Sequence, residues 1–149
     1  MKAYVRQAMA EGAVGMSSGL IYLPGEYADE EEFAELCKVV AECGGIYTTH
    51  IRNENEGMFE AMEEALNVGA KANVPVHISH LKLNSPQVWG RADEVLARIE
   101  KANRDGHETT FDLYPYTAGF TSLSSTLPPW ALEGGAAKRM ERLQDPGMW

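Results

Sequence analysis

The sequence predicts an α/β fold in which consecutive βα units build a parallel sheet. Strand-like and helix-like segments alternate strictly along the chain, and the strand-like segments are short runs rich in valine, isoleucine and threonine. Helical segments long enough to connect neighbouring parallel strands separate them. No glycine-rich dinucleotide or Walker loop follows any of the strands, which argues against a nucleotide-binding α/β fold.

Local signals place each element in order. Asp29 is a plausible N-cap with Glu32 three residues later, and Gly44-Gly45 ends the helix that they begin. Other helices end near Gly12, near Asn73 and at Asp105-Gly106. The predicted segments are helix 2–11, strand 13–17, helix 30–43, strand 46–51, helix 56–72, strand 74–80, helix 91–104 and strand 108–114.

The length indicates part of a larger sheet. With 149 residues, 44% hydrophobic and 23% charged, the chain can form one sizeable core. Only four strands are predicted, whereas a (β/α)₈ barrel needs about 250 residues and a doubly wound sheet usually has five or six strands. We therefore expect roughly half of such a fold.

Composition excludes several classes of partner. The net charge of -9 argues against nucleic acid and against an anionic membrane surface. No apolar run reaches the length of a membrane span and no signal peptide is recognisable, so we expect a cytoplasmic protein. Cys37 and Cys43 fit neither a redox CxxC pair nor a zinc knuckle, and we expect both to be buried, reduced thiols.

Two histidines close consecutive strands. His50 and His80 stand at the carboxyl ends of their runs, where parallel β/α folds carry their chemistry, and neutral imidazole is a common metal ligand. A catalytic zinc ion normally has three protein ligands, so two histidines supply only part of a site. From the residues alone, metal ligation and simple hydrogen bonding both remain open.

Strand pleating predicts where these histidines point. Alternate residues share a face, which groups His50 with Thr48, and His80 with Ile78 and Val76. His77 is then expected on the opposite face, toward the helices, as a satisfied interlayer residue. His107 enters the last strand from its amino end and is interpreted as a turn residue.

Four motifs together resemble one enzyme family. They are residues 12–25 (GAVGMSSGLIYLPG), 45–54 (GIYTTHIRNE), 78–82 (ISHLK) and 112–118 (DLYPYTA). In this order they resemble the N-acyl-D-amino-acid deacylases, or D-aminoacylases, of the metal-dependent amidohydrolase superfamily. The resemblance implies that residues 1–149 are a partial catalytic (β/α)₈ TIM barrel, covering about four βα units, strands four to seven.

The resemblance also implies roles for single residues. His50 and His80 would bind a tightly held zinc ion, with a second, weaker metal site possible. Tyr22 would polarise the scissile carbonyl, while Lys82 and Tyr114 would bind the carboxylate of the substrate. The implied reaction hydrolyses the amide bond of a small-molecule N-acyl-D-amino acid to a carboxylate and the free D-amino acid.

The departures from the family leave alternatives. The family's first-strand His-x-His pair, its metal-bridging cysteine and its catalytic aspartate would lie outside the 149 residues. One alternative is a cyclic amidase such as a dihydroorotase or hydantoinase. Another is a non-catalytic fragment or half-barrel that needs a complementary chain and self-associates through its exposed edges.

Polar residues beside the histidines have two interpretations each. Arg52, Asn53 and Glu54 follow His50 and either orient it or form a solvated entry to the next helix. Asp112 either orients a ligand or a lysine, or is an ordinary inward-facing polar residue.

Overall fold

A four-stranded parallel sheet organises the first part of the chain, with the strands in the order β1-β2-β3-β4. The computed structural model describes residues 1–148, except for the side chain of Pro129. The strands are β1 Gly15–Gly19, β2 Ile46–His50, β3 Val76–Ile78 and β4 Thr109–Phe111. The helices are α1 Lys2–Ala10, α2 Glu30–Glu42, α3 Met58–Ala72, α4 Ala92–Arg104, α5 Pro129–Leu132 and α6 Gly135–Gln144.

All eight elements predicted from the sequence are confirmed, and the boundaries differ most at the third strand. The expected strand 74–80 is reduced to Val76–Ile78. Pro75 has no N–H for the ladder, and His80 has a φ of 40°, which lies outside the β region. The strand therefore ends before the histidine that was expected to close it.

Side chains fix the helix ends as the sequence predicts. The Asp29 side chain accepts a hydrogen bond of 2.8 Å from the backbone N–H of Glu32, which satisfies one of the free donors at the start of α2. Asn73 ends α3 in the left-handed conformation with a φ of 52°. His107 lies in the turn before β4, where its N–H donates to the carbonyl of Ala102, and the prediction of a turn residue is confirmed.

The core lies between one face of the sheet and the helices. Tyr47 stacks on Phe33, and Val76 packs against Gly69 of α3. Tyr47 and Val76 are paired across β2 and β3, so alternate residues of these strands face the helices. The buried members of this face are Tyr47, Thr49, Val76 and Ile78.

The opposite face of the sheet carries polar side chains, including His77. The register pairs His77 with Thr48 and with Thr110, and His77 Nδ1 lies 2.8 Å from Thr110 Oγ1. The expectation that His77 points toward the helices is therefore wrong. The valine and isoleucine on either side of it take the helix-facing positions because they are the apolar residues of the strand.

The chain divides into two compact units. Residues 1–114 contain the sheet with its helices, and residues 115–148 contain α5 and α6. None of the helices in the described part of the chain combines the length and apolarity that a membrane span requires.

Both cysteines are free, and only one of them is buried. Burial raises the pKa of the Cys37 thiol to about 12, so this side chain stays protonated in the core. Cys43 is exposed just after the last turn of α2, which corrects the expectation that both thiols are buried.

Gly69→Ala tests the close packing of α3 on β3. A Cβ at position 69 would lie 2.4 Å from Val76 Cγ2, too close for two carbon atoms. Overpacking typically costs about 1–3 kcal/mol, and the gain in helix propensity offsets about 1 kcal/mol of it. We expect a net loss of about 1 kcal/mol in the free energy of unfolding, measured by urea denaturation.

Asn67→Ala is the control, because it changes an exposed residue of the same helix. It should leave the unfolding free energy within about 0.5 kcal/mol of the parent. A Gly69→Ala variant as stable as this control would contradict the packing that the structure shows.

Candidate metal and active site

Two imidazoles meet at the carboxyl end of the sheet. His50 is the last residue of β2, and His80 follows the end of β3 by two residues. The distance between His50 Nδ1 and His80 Nε2 is 2.8 Å, and the ring centroids are 4.5 Å apart. The two histidines predicted as metal ligands are therefore brought into direct contact.

The route by which His80 reaches His50 differs from the one expected. By strand alternation His80 would share a face with Val76 and Ile78, but these two residues are buried against the helices. The left-handed φ of 40° at His80 interrupts the alternation and turns its ring to the polar face. The left-handed backbone conformation of His80, rather than the pleating of the strand, therefore brings the two imidazole rings together.

Glu54 joins the two histidines. Its Oε1 lies 3.0 Å from His80 Nδ1, and the residue is only 8% exposed. Ligand atoms of His50, Glu54 and His80 all lie within 4.8 Å of one another. Sequence reasoning left Glu54 open as an orienting residue and did not include it among the ligands, because nothing in the pattern distinguishes it from a solvated helix entry.

His80 Nδ1 has two polar neighbours. It lies 3.0 Å from Glu54 Oε1, which can accept, and 3.0 Å from Lys82 Nζ, which can only donate, so two tautomers of the neutral histidine pair fit these distances. When His80 Nδ1 carries the proton, His80 Nε2 accepts from His50 Nδ1 and His50 Nε2 keeps a lone pair. His50 Nε2 is buried, and it finds no hydrogen-bond partner among the described residues. Burial lowers the pKa of His50, which favours the neutral ring that can ligate a metal.

These residues fit a divalent metal such as zinc. Imidazole nitrogens and a carboxylate oxygen are ordinary zinc ligands, and three protein ligands are typical of a catalytic zinc site. A buried ring nitrogen without a partner is costly to leave unsatisfied, and a metal ion would satisfy it.

The other three predicted site residues surround this cluster. The Tyr22 ring centroid is 5.2 Å from that of His50, on the loop that follows β1. Lys82 Nζ pairs with Glu54 and donates to the carbonyl of His80 at 2.9 Å. The same ammonium lies 5.6 Å from the centroid of the Tyr114 ring. The structure thus places all five predicted residues in one continuous group.

Arg52 connects the loop between β1 and α2, which contains Tyr22, to helix α3. Its Nη1 and Nη2 donate at 2.7 Å to the carbonyls of Glu26 and Ala28. The same guanidinium donates from Nε and Nη2 to Glu64 of α3, at 2.9 and 2.7 Å. One side chain therefore connects the end of β2, the loop and α3. These contacts are with the loop and α3 rather than with the His50 ring, so the interpretation of Arg52 as a residue that orients His50 stays a prediction.

Comparison with known proteins finds relatives that are similar to this chain in both sequence and structure. No family model matches the chain. The D-aminoacylase of Alcaligenes xylosoxydans xylosoxydans is 42% identical over 123 residues, which cover 83% of this chain and 25% of the relative. A crystal structure of D-aminoacylase matches with a TM-score of 0.75 at 41% identity, over 79% of this chain and 25% of that one.

The chain belongs to the N-acyl-D-amino-acid deacylase family. The family resemblance of the four sequence motifs is confirmed. An N-acyl-D-glutamate deacylase from Bordetella bronchiseptica, solved with zinc and a phosphonate inhibitor, matches with a TM-score of 0.74 at 40% identity, over 77% of this chain and 24% of that one. This deacylase-family chain spans about a quarter of the length of the relatives it matches.

Arg52→Ala tests the connection between the loop and α3. The Arg52 and Glu64 side chains are 28% and 15% exposed, so the variant leaves a largely buried carboxylate and two backbone carbonyls without their donor. We expect the unfolding free energy to fall by about 2 kcal/mol in urea denaturation.

Arg104→Ala is the matched control for this prediction. Arg104 makes an exposed pair with Glu100, and its removal should change the unfolding free energy by less than about 0.5 kcal/mol. Equal losses of unfolding free energy in the two variants would show that the Arg52 contacts stabilise the fold no more than an exposed ion pair does.

Proposed function

We propose that the protein containing this chain hydrolyses N-acyl-D-amino acids with the help of a zinc ion held partly by His50 and His80. The single observation that carries the proposal is the cluster of His50, His80 and Glu54, in which the buried His50 Nε2 has no hydrogen-bond partner among residues 1–148. The names of the relatives, D-aminoacylase and N-acyl-D-glutamate deacylase, support the reaction class.

We further propose that the four strands are consecutive strands of a (β/α)₈ barrel, as the sequence resemblance implies. The parallel order β1-β2-β3-β4 with intervening helices supports this arrangement. The polar face with His50 and His77 would then line the inside of the barrel. The assignment of residues 1–149 to one partial catalytic barrel also stays a prediction.

Each residue of the cluster has a chemical task in this proposal. A bound zinc ion supplies Lewis-acid chemistry and lowers the pKa of water toward neutrality. His50 would offer the Nε2 lone pair, and Glu54 would orient the His80 ring by accepting from its Nδ1. Lys82 compensates the charge of Glu54, which would otherwise be a nearly buried, isolated carboxylate.

Tyr22, Lys82 and Tyr114 would meet the substrate. The Tyr22 ring lies beside the His50 ring, and its phenol would donate a hydrogen bond to the carbonyl oxygen of the scissile amide, where negative charge develops. The Lys82 ammonium supplies a positive charge for the substrate carboxylate, and the Tyr114 ring lies beside that ammonium. A cytoplasmic location and self-association through the sheet edges stay predictions from the sequence.

Zinc titration tests the metal centre directly. We expect the 149-residue chain to bind zinc weakly, because Glu54 is already engaged by Lys82 and His80 and the two histidines supply only part of a zinc site. His50→Ala and His80→Ala should each lower zinc affinity at least about tenfold in competition with a coloured chelator. His107→Ala, in the turn before β4, is the control and should bind zinc like the parent. Equal affinity of all four proteins would reject the site.

Deacylase assays test the reaction. We expect no steady turnover from the isolated chain, and turnover of N-acetyl-D-methionine but not of the L form when the chain replaces the matching segment of D-aminoacylase. In that chimera, Tyr22→Phe should lower kcat by about 100-fold because one oxyanion donor is lost. Tyr27→Phe, at an exposed tyrosine of the same loop, should be silent.

Two outcomes would change the proposal. Robust turnover by the isolated chain would show that its own residues suffice for catalysis. A folded, zinc-loaded chimera that cleaves hydantoin or dihydroorotate, but no N-acyl-D-amino acid, would favour the cyclic amidase alternative.

A further inference from the structure

The conformation of His80 requires something to hold it. A φ of 40° is unusual for a residue with a side chain, and within the described chain only His80 and Asn73 combine a positive φ with a Cβ. Asn73 is a helix C-cap, where this conformation is common. His80 lies at the end of a strand, and its conformation is what turns the ring toward His50.

Asp112 directly follows β4 and is hydrogen-bonded to the backbone around His80. Its Oδ1 accepts the backbone N–H of His80 at 2.7 Å, and its own carbonyl accepts the N–H of Leu81 at 2.8 Å. The Asp112 N–H in turn donates to the carbonyl of Ile78 at 3.1 Å. Three hydrogen bonds from one residue therefore span the segment in which β3 turns away from regular strand geometry.

His77 fixes the carboxylate of Asp112. His77 Nε2 donates to Asp112 Oδ2 at 2.8 Å, and the other ring nitrogen lies 2.8 Å from Thr110 Oγ1. His77 and Thr110 are directly paired across β3 and β4. The orientation of the Asp112 carboxylate is thus set by His77 on β3, whose ring is in turn held by Thr110 on β4.

We propose that Asp112, oriented by His77, is a positioning residue that locks His80 in its left-handed conformation and so aims the imidazole at His50. The part of this inference that concerns the metal rests on the proposed function. The sequence predicted His77 on the helix side of the sheet, so its hydrogen bond with Asp112 was not expected.

Exposure makes this role separable from general stability. The Asp112 side chain is 57% exposed, so its removal opens no cavity in the core. A purely structural carboxylate would change the unfolding free energy and leave zinc affinity alone. A positioning carboxylate would change zinc affinity in a chain that remains folded.

The first experiment measures zinc binding of the 149-residue chain and its variants by chelator competition, with circular dichroism to confirm folding. Asp112→Ala should weaken zinc binding by about 10–100-fold, as expected for loss of a residue that orients a ligand. Asp112→Asn keeps an oxygen acceptor for the His80 N–H and should stay within about threefold of the parent. Asp105→Asn, at the end of α4, is the control.

The second experiment begins with the parent chain, so its first result does not depend on whether a variant of Asp112 folds. Hydrogen–deuterium exchange, read by NMR in the metal-free parent chain, should show a protected His80 amide, because that N–H is donated to Asp112. Asp112→Asn should retain the protection, and Asp112→Ala should lose it.

The outcomes separate the two proposals. An unprotected His80 amide in the parent, or an Asp112→Ala chain that binds zinc within threefold of the parent, overturns the role of Asp112. A parent chain that takes up no zinc contradicts the proposed metal centre instead, and the exchange rate of the His80 amide still decides whether Asp112 holds the peptide.

Discussion

The polar face of the sheet depends on the burial of its other face. Apolar and threonine side chains of β2 and β3 pack against α2 and α3, and strand alternation then forces Thr48, His50 and His77 to the opposite side. A shift of one residue in the register would exchange the two sets. Hydrophobic packing therefore determines the positions of His50 and His77, while the left-handed conformation of His80 brings its ring to the same face.

Within the cluster, charge is balanced along a chain of contacts rather than at one atom. Lys82 pairs with Glu54, Glu54 Oε1 lies 3.0 Å from His80 Nδ1, and His80 Nε2 lies 2.8 Å from His50 Nδ1. The nearly buried Glu54 carboxylate therefore lies between a lysine ammonium and an imidazole ring. The lone pair of His50 Nε2 is the end of this chain and the point where an electrophile would bind.

The helices and strands could be predicted from the sequence, but the faces on which His77 and His80 lie could not. Capping at Asp29 and the alternation of β and α segments rest on local chemistry, so they could be predicted. The facing of His77 and His80 could not, because it depends on which strand face meets the helices and on a single left-handed residue. The two interpretations of Glu54 could not be decided from the sequence for a similar reason, since its place in the cluster depends on the approach of Lys82 and His80.

The end of β1 shows how backbone space limits the site. A Cβ at Gly19 would lie 3.0 Å from Cδ2 of Tyr22, closer than nearly all real contacts of this kind. The tyrosine ring can occupy its place beside His50 because the residue three positions earlier has no side chain. Positions 19 and 22 are therefore coupled in mutagenesis, and neither can be interpreted from a substitution at one position alone.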